Sequence, residues 1–507
     1  MAYRSSPVAT YRPHRFLVTL ALGLAAVGSG LAIARLPLPT ILVVIGASAL
    51  IEPALGLIAT LVLGPWAAWQ NTYLPGLLPT DVGQLGVALA LGAWLARGLA
   101  RRELSLPRTP LLAPLALFTG WAAVTMLWAP DYSFGLPEVL KWIELILVAL
   151  FVADTARRRG LTWIVVGLLL SAVVQAIVGI YEARLRGIGP EGFLLSSGVY
   201  RAYGSFEQPN PFGGFVGLNL PIAVGLTLAL GAMVWTRLNT GHADEDDPSS
   251  FFRVDTEPVG AAGRRPRPIR VWVLLAATAS VVAVMLAVAL YMSFSRGAWL
   301  GAAAALLAMG LFLPRRRWIG FAIIGGLAAA GLLLNGAGLL PASITDRFAD
   351  IGTLVDFRDV RGVKINDANY AVIERLAHWQ AAVRMLEAHP LTGVGFSNYQ
   401  SVYEQYRLLN WPMPLGHAHN IYLNIAAETG LPGLAAYLVL WGAIFWQTIR
   451  AVATRSALRR GLALGLLGAW VHLSVHHLFD NLYVDNVHLN IGAMIGLLSV
   501  LYATRRT

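Results

Sequence analysis

Two polar blocks in the last third of the chain hold residue types suited to proton transfer: HPLTGVGFSNY from His389 to Tyr399, and HAHNIYLNIAAETGLPG from His417 to Gly433. An imidazole titrates near pH 6.5, so His417 or His419 is able to act as a general base near neutrality. Asn420 stands where a helix N-cap is expected, Gly430 where a left-handed C-cap is expected, and Pro432 opens the next helix. In an extended segment, alternation turns the rings of His417 and His419 to one side. Zinc needs a further ligand that the local spacing does not supply, so no metal is expected here.

Guanidinium groups supply a second chemistry. YRAYGSFEQPNPFGGF, from Tyr200 to Phe215, carries Arg201 with Gln208 and Asn210, and SFSRGAWLG, from Ser293 to Gly301, sets Arg296 in a very short turn. The stretch from Tyr370 to His389 spaces Val372, Leu376, Trp379, Val383 and Leu386 by fours and threes. That pattern predicts an amphipathic helix lying along the membrane surface, with Arg375 among its polar positions. Arginines at a membrane boundary are costly and mark either snorkelling to headgroups or a function. Three that converge would match a diphosphate, because guanidinium forks fit phosphate oxygens and stay charged. His472, His476 and Asp480, each four apart, share one helical face beside His477 and Asn481. Such a stripe fits the wall of a polar cavity, or hydrogen bonding between membrane helices, better than a metal site.

The elements that must position these groups are membrane helices. The 507 residues are 57% hydrophobic and 13% charged, with a mean hydropathy of +0.62, which excludes a water-soluble globular domain of this size. A span needs about 20 mainly apolar residues, and such runs fall near 16–34, 36–51, 54–70, 82–100, 111–129, 138–154, 161–182, 212–236, 271–292, 298–313, 318–340, 432–450, 461–479 and 486–503. The second and third, divided by Glu52 and Pro53, read either as two spans or as one re-entrant pair. The expected fold is therefore an all-α polytopic membrane protein of 12–14 transmembrane helices.

The absence of cysteine excludes disulfides and thiolate metal sites. A net charge of +11 arises almost wholly from arginine in clusters between apolar runs, so it signals topology and not nucleic acid. With the N-terminus inside and the basic run before Phe16 read as part of a retained first helix, the clusters at 97–108, 157–159, 237–270, 315–317, 450–460 and 505–506 all fall on the cytoplasmic side. The chain then divides into N-terminal spans (1–182), an external loop (183–211), central spans (212–340) with a cytoplasmic linker (237–270), a large external loop (341–431) and C-terminal spans (432–507). The GHADEDDPSS run in the linker reads as a solvated acidic segment. No Walker loop and no solenoid-period repeat is present.

GSFEQPNPFGGF, SFSRGAWLG, HPLTGVGFSNY and HAHNIYLNIAAETGLPGLAAYL, in this order between spans, resemble the O-antigen ligase and polymerase superfamily. The likeness runs from about Arg201 to the C-terminus. It implies a C-type glycosyltransferase-like fold in the bacterial inner membrane, both termini cytoplasmic, with an active site on the external, periplasmic face. The implied reaction moves a glycan from undecaprenyl diphosphate to an acceptor hydroxyl on another glycan or lipid-glycan, with inversion and without metal or other cofactor. The family's histidine falls on His419, as base or acceptor-positioning group, with His417 beside it, and Arg201, Arg296 and Arg375 fall on the donor diphosphate. Gln208, Asn210, Asn398, Tyr399 and Asn420, in the same motifs, are the expected substrate-binding residues. The expected partners are the lipid-linked donor, the acceptor and membrane lipids, with no nucleic acid. A secondary transporter of a small polar solute or lipid-linked glycan is the alternative from another class, and a transferase acting on protein hydroxyls shares the mechanism.

Overall fold

A computed structural model describes residues 46–76, 80–104, 107–195, 198–240, 268–339, 359–366 and 369–504. The first expected span, the first part of the second, the acidic linker run, the stretch 340–358 and the terminal Arg505 and Arg506 lie outside the described residues. Among those described there is no β-strand, only an isolated bridge between Leu194 and Tyr200. The chain is an all-helical, multi-pass membrane protein.

Eleven of the fourteen apolar runs coincide with helices among the described residues. Among the described residues, six helices are long and apolar enough to cross a bilayer: Val82–Ala100, Thr162–Arg186, Pro209–Asn239, Ile269–Met292, Trp318–Gly336 and Ile421–Val452. Leu112–Trp128, Arg296–Phe312 and Val487–Ala503 are shorter and apolar. Tyr132–Arg159 and Ala457–His476 have the length but carry charged residues. The run expected at 54–70 differs, because its helix stops at Leu63, passes through a tight turn at Gly64–Trp66, and resumes as the short helix Ala67–Tyr73. Pro65 has no N–H to continue the ladder, which accounts for the break.

The helix Pro209–Thr240 lies between Ile269–Met292 and Ala457–His476. Its backbone approaches the latter so closely that a Cβ added at Gly225 would lie 2.1 Å from the carbonyl oxygen of Gly461. In a medium where apolar contact with lipid competes with contact between helices, such small-residue seams permit the tight packing that holds a bundle together.

One end of this bundle carries the polar blocks. Trp128 donates to the carbonyl of Thr392 at 3.2 Å, Asp131 N–H to Asn398 Oδ1 at 3.0 Å, and Phe396 N–H to Thr125 Oγ1 at 3.1 Å. The HPLTGVG block thus docks on the helix ends around residue 128. The opposite end gathers basic side chains: Arg97 and Arg159 meet Glu52, Arg158 meets Asp154, and Arg460 donates to the carbonyl of Phe312.

Candidate functional site

The helix Ile421–Val452 is kinked at Gly430, whose φ of 67° and ψ of −176° end one helical segment and release the next at Pro432. A Cβ at Gly430 would lie 2.6 Å from the Leu391 backbone, so the kink needs both the glycine's left-handed φ and its empty face. The HPLTGVG block fills the notch: Val394 N–H donates to Ala427 O at 3.0 Å, Gly395 N–H to Glu428 O at 3.0 Å, and Leu431 N–H to Pro390 O at 2.8 Å. At the other end of the segment Asn420 caps the helix, accepting from the N–H groups of Tyr422 and Leu423 at 3.0 and 3.2 Å.

The two histidines before that cap converge, but not as an extended pair. His419 adopts φ 53°, following Leu415 at φ 50° and Gly416 at φ 82°, so the segment is a turn. Two bonds fix it, from Ala418 N–H to Asn424 Oδ1 and from His419 N–H to His417 Nδ1, both at 3.0 Å. The turn brings the imidazoles edge to face with centroids 4.4 Å apart. Both rings face one carboxylate: His417 Nε2 is 3.7 Å and His419 Nδ1 3.6 Å from Asp480 Oδ1.

Asp480 joins the imidazoles to the arginines. Arg201, Arg296 and Arg375 line a single cavity of about 130 Å³ with Asn210, Ser295, His476 and Asp480. Arg201 donates through Nε to Ser293 O at 2.9 Å and through Nη2 to Asn210 Oδ1 at 3.1 Å. Arg296 is the first residue of its helix, just after the left-handed Phe294, so the positive end of a helix dipole adds to its charge at the cavity. Arg375 donates to the carbonyls of Ala371 at 2.8 Å and Phe479 at 3.3 Å. Its helix, Tyr370–Ala388, packs on Ile421–Val452. Among the described lining residues the cavity holds three guanidinium groups and one carboxylate.

The environment sets the charges. Burial lowers His417 to about 4, with His419 and Arg375 adding to the effect against Asp480. Burial and the neighbouring imidazoles lower His378 to about 3. Burial works to raise Asp480, but the facing imidazoles of His419, His417 and His476 outweigh it and hold the carboxyl below its usual range. The favoured state is an aspartate facing a neutral His417 ring.

His417, His419 and Asp480 are close enough to suggest metal ligands, with atoms within 4.8 Å of one another. The tautomer weighs against it. His417 Nδ1 accepts the His419 N–H, so in the neutral ring Nε2 carries the proton and has no lone pair for a cation. Coordination there would first have to open the turn that creates the site.

Not every residue singled out in the sequence lines the cavity. Asn398 is buried and ties Asp131 N–H to Phe396 O. Tyr399, also buried, bonds through its hydroxyl to His378 Nδ1 at 2.9 Å, and His378 in turn packs against His419 with ring centroids 5.7 Å apart. Asn420 is the helix cap, and Gln208 is exposed outside the cavity lining. Conversely, Asp480 and His476 belong to the lining and were not singled out as site residues. Their signal was the four-residue spacing from His472, which itself bonds to Gly214 O at 3.0 Å between helices.

Residues 281–438 match the family model described as O-Antigen ligase. The match includes Arg296, Arg375 and both polar blocks. The chain is also similar to the exopolysaccharide production protein ExoQ of Rhizobium meliloti, with 24% identity over 384 residues, 73% of each chain. A glycan-processing membrane enzyme is the class these similarities define. Within it, the likeness to the O-antigen ligase and polymerase superfamily is shown.

Proposed function

We propose that the protein transfers a glycan from undecaprenyl diphosphate to an acceptor hydroxyl, with inversion and without metal, at the external face of the bacterial inner membrane, its termini cytoplasmic. The observation that carries this reading is the convergence of Arg201, Arg296 and Arg375, from three separated segments, on a cavity whose Asp480 faces His419.

The acceptor hydroxyl is a weak nucleophile and needs a positioned base. With Nδ1 of His419 turned to Asp480, Nε2 is the atom that takes the proton as the acceptor oxygen bonds to the anomeric carbon. Asp480 holds the ring and stabilises the imidazolium, the division of labour found in nucleophile–His–Asp triads. The 3.6 Å separation is longer than a hydrogen bond, and catalytic contacts commonly shorten when substrate binds. The bond from the anomeric carbon to the diphosphate oxygen breaks on the opposite side, and the leaving group departs with the electron pair. Guanidinium groups already in place neutralise that growing charge without reorganising.

The test is to reconstitute the protein in lipid nanodiscs with an undecaprenyl-diphosphate glycan and candidate acceptors, with and without a chelator, and to analyse products by mass spectrometry. Chelator-resistant transfer with inverted linkage is expected. Failure to transfer to any glycan, lipid-glycan or protein hydroxyl, with uptake of an intact solute or lipid-linked glycan into vesicles instead, would favour the transporter reading.

A further inference from the structure

Beside the arginine cavity lies a second feature that the transfer chemistry leaves unused. The short helix Ala67–Tyr73 and the turn before it present three aromatic rings in sequence: Trp66 and Trp69 with centroids 5.8 Å apart, then Trp69 and Tyr73 at 5.4 Å. Tyr73 follows Trp69 by four residues and so shares its helical face, and it is 52% exposed. Opposite stands Glu207, half-buried at a left-handed φ of 53°, with Oε2 3.5 Å from the Tyr73 hydroxyl. Exposed Gln208 is its neighbour.

We infer that the Trp69–Tyr73 face, with Glu207 and Gln208, is a carbohydrate subsite that holds donor sugars next to the diphosphate. The inference rests on the glycan-transfer reading and adds a place for the sugars.

Three observations carry it. The first is chemical. A pyranose ring has a face of C–H groups that settles on the electron-rich face of an aromatic ring, while its hydroxyls are donors for a carboxylate and an amide. Tryptophan and tyrosine alone would serve as anchors at the membrane boundary. A half-buried carboxylate facing the tyrosine hydroxyl has no part in such anchoring. Glu207 faces the Tyr73 hydroxyl at 3.5 Å, and burial, countered by that hydroxyl and Arg186, holds its carboxyl above the ordinary range.

The second is rigidity. Ser205 Oγ donates to Pro65 O at 2.7 Å and accepts from Gln175 Nε2 at 2.7 Å, while Gln175 Oε1 accepts the Ser205 N–H at 3.2 Å. Gly204 N–H donates to Glu182 at 2.7 Å. The turn that carries Glu207 is thereby fastened to the turn that starts the aromatic helix.

The third is reach. Arg201 and Asn210 close the ends of this loop on one another and both line the cavity. Glu207 is three residues from Asn210, so their Cα atoms are no more than about 11 Å apart. A glycan leaving the diphosphate at Arg201 reaches Glu207 within its first few sugars. Inversion requires the acceptor on the side away from the diphosphate, at His419, which leaves the loop side to the donor.

Two probes test this in nanodiscs: sugar-free undecaprenyl diphosphate, and the same carrier bearing the repeat glycan extracted from the host cells. Native mass spectrometry titrations give the affinity of each. The wild-type protein is expected to bind the glycan-bearing carrier more tightly. Tyr73→Ala and the isosteric Glu207→Gln are each expected to weaken it roughly three- to tenfold, the worth of one aromatic or polar contact, while leaving the bare carrier unchanged. Tyr73→Trp, which keeps a ring, should retain most of the affinity. Equal loss for both carriers would make the residues structural and overturn the subsite, as would no loss for either. Wild-type protein that binds both carriers equally overturns the subsite while the transferase reading stands. Protein that binds neither overturns both.

Discussion

Arginines gather at both ends of this helical bundle, under different terms. At the end away from the polar blocks, Arg97, Arg101, Arg158 and Arg159 surround a small cavity lined also by Glu52 and Glu103. Glu52 pairs with Arg97 at 3.2 Å and Arg159 at 2.6 Å, and buried Asp154 pairs with Arg158 while accepting from Trp94 Nε1 at 2.8 Å. At the other end, three arginines share a cavity with one carboxylate, and that carboxylate faces two imidazoles. There Arg201 and Arg375 donate to carbonyl and amide oxygens, which fix the direction of each guanidinium. The first arrangement closes on itself and locks helix ends. The second, among the described residues, sets three guanidinium groups around an open cavity beside a carboxylate, and what separates the two ends is this placement, not the number of arginines.

The sharpest way to break this contrast is at the imidazole. His419→Ala should lower glycan transfer about 10²- to 10⁴-fold, the range contributed by a positioned base, with insertion and folding retained. Full activity in a cell lacking its native enzyme would remove His419 from the mechanism. Next in size are Arg201→Gln and Arg296→Gln. Each removes a charged partner of the diphosphate, worth about 1.5–3 kcal/mol per hydrogen bond to a charged group, so donor affinity should fall about ten- to hundredfold. Acceptor affinity should hold, and titrations with each substrate separate the two.

The sequence made some of this legible because the signals were local. The cap at Asn420, the break at Gly430 and the restart at Pro432 depend on residues a few positions apart, and the structure has all three. The convergence of Arg201, Arg296 and Arg375 depends on the packing of separated segments, and no local pattern encodes it. Residue type raised the possibility; only the fold gives the shared cavity. The histidine turn went the other way. Alternation suggested an extended pair, whereas side-chain bonds from Asn424 and His417 to the backbone impose a left-handed His419. Asp480 was visible as a stripe with His472 and His476, but its relation to His419 spans 61 positions and two helices.

Asp480→Asn tests whether that relation matters to the chemistry. The amide keeps the shape but loses the charge that stabilises the imidazolium, so transfer should fall about tenfold, with donor affinity little changed. Equal loss in donor affinity would place Asp480 with the diphosphate clamp instead. A gentler effect concerns pH. His417 titrates at about 4 in the fold and near 6.5 when unfolded, so as pH falls below 6.5 protons bind the unfolded chain first. The stability present above that pH should decline toward pH 4, and His417→Gln should flatten the decline in thermal unfolding measured from pH 7.5 to 4.5. An unchanged slope would mean that the ring is not buried neutral.

The smallest effect belongs to the opposite end. Arg159→Gln removes one of two partners of Glu52, whose side chain is 16% exposed against 35% for Arg159. Arg97 remains to face the carboxylate, and its Nη2 stays bonded to the carbonyls of Leu50 and Ile51. A partly exposed pair with a surviving cation should cost about 1 kcal/mol of stability, far below the loss when a buried charge is stranded. Donor affinity and transfer should not move. If Arg159→Gln instead weakened the donor as much as Arg201→Gln does, the placement of the two clusters would not be what separates framework from site.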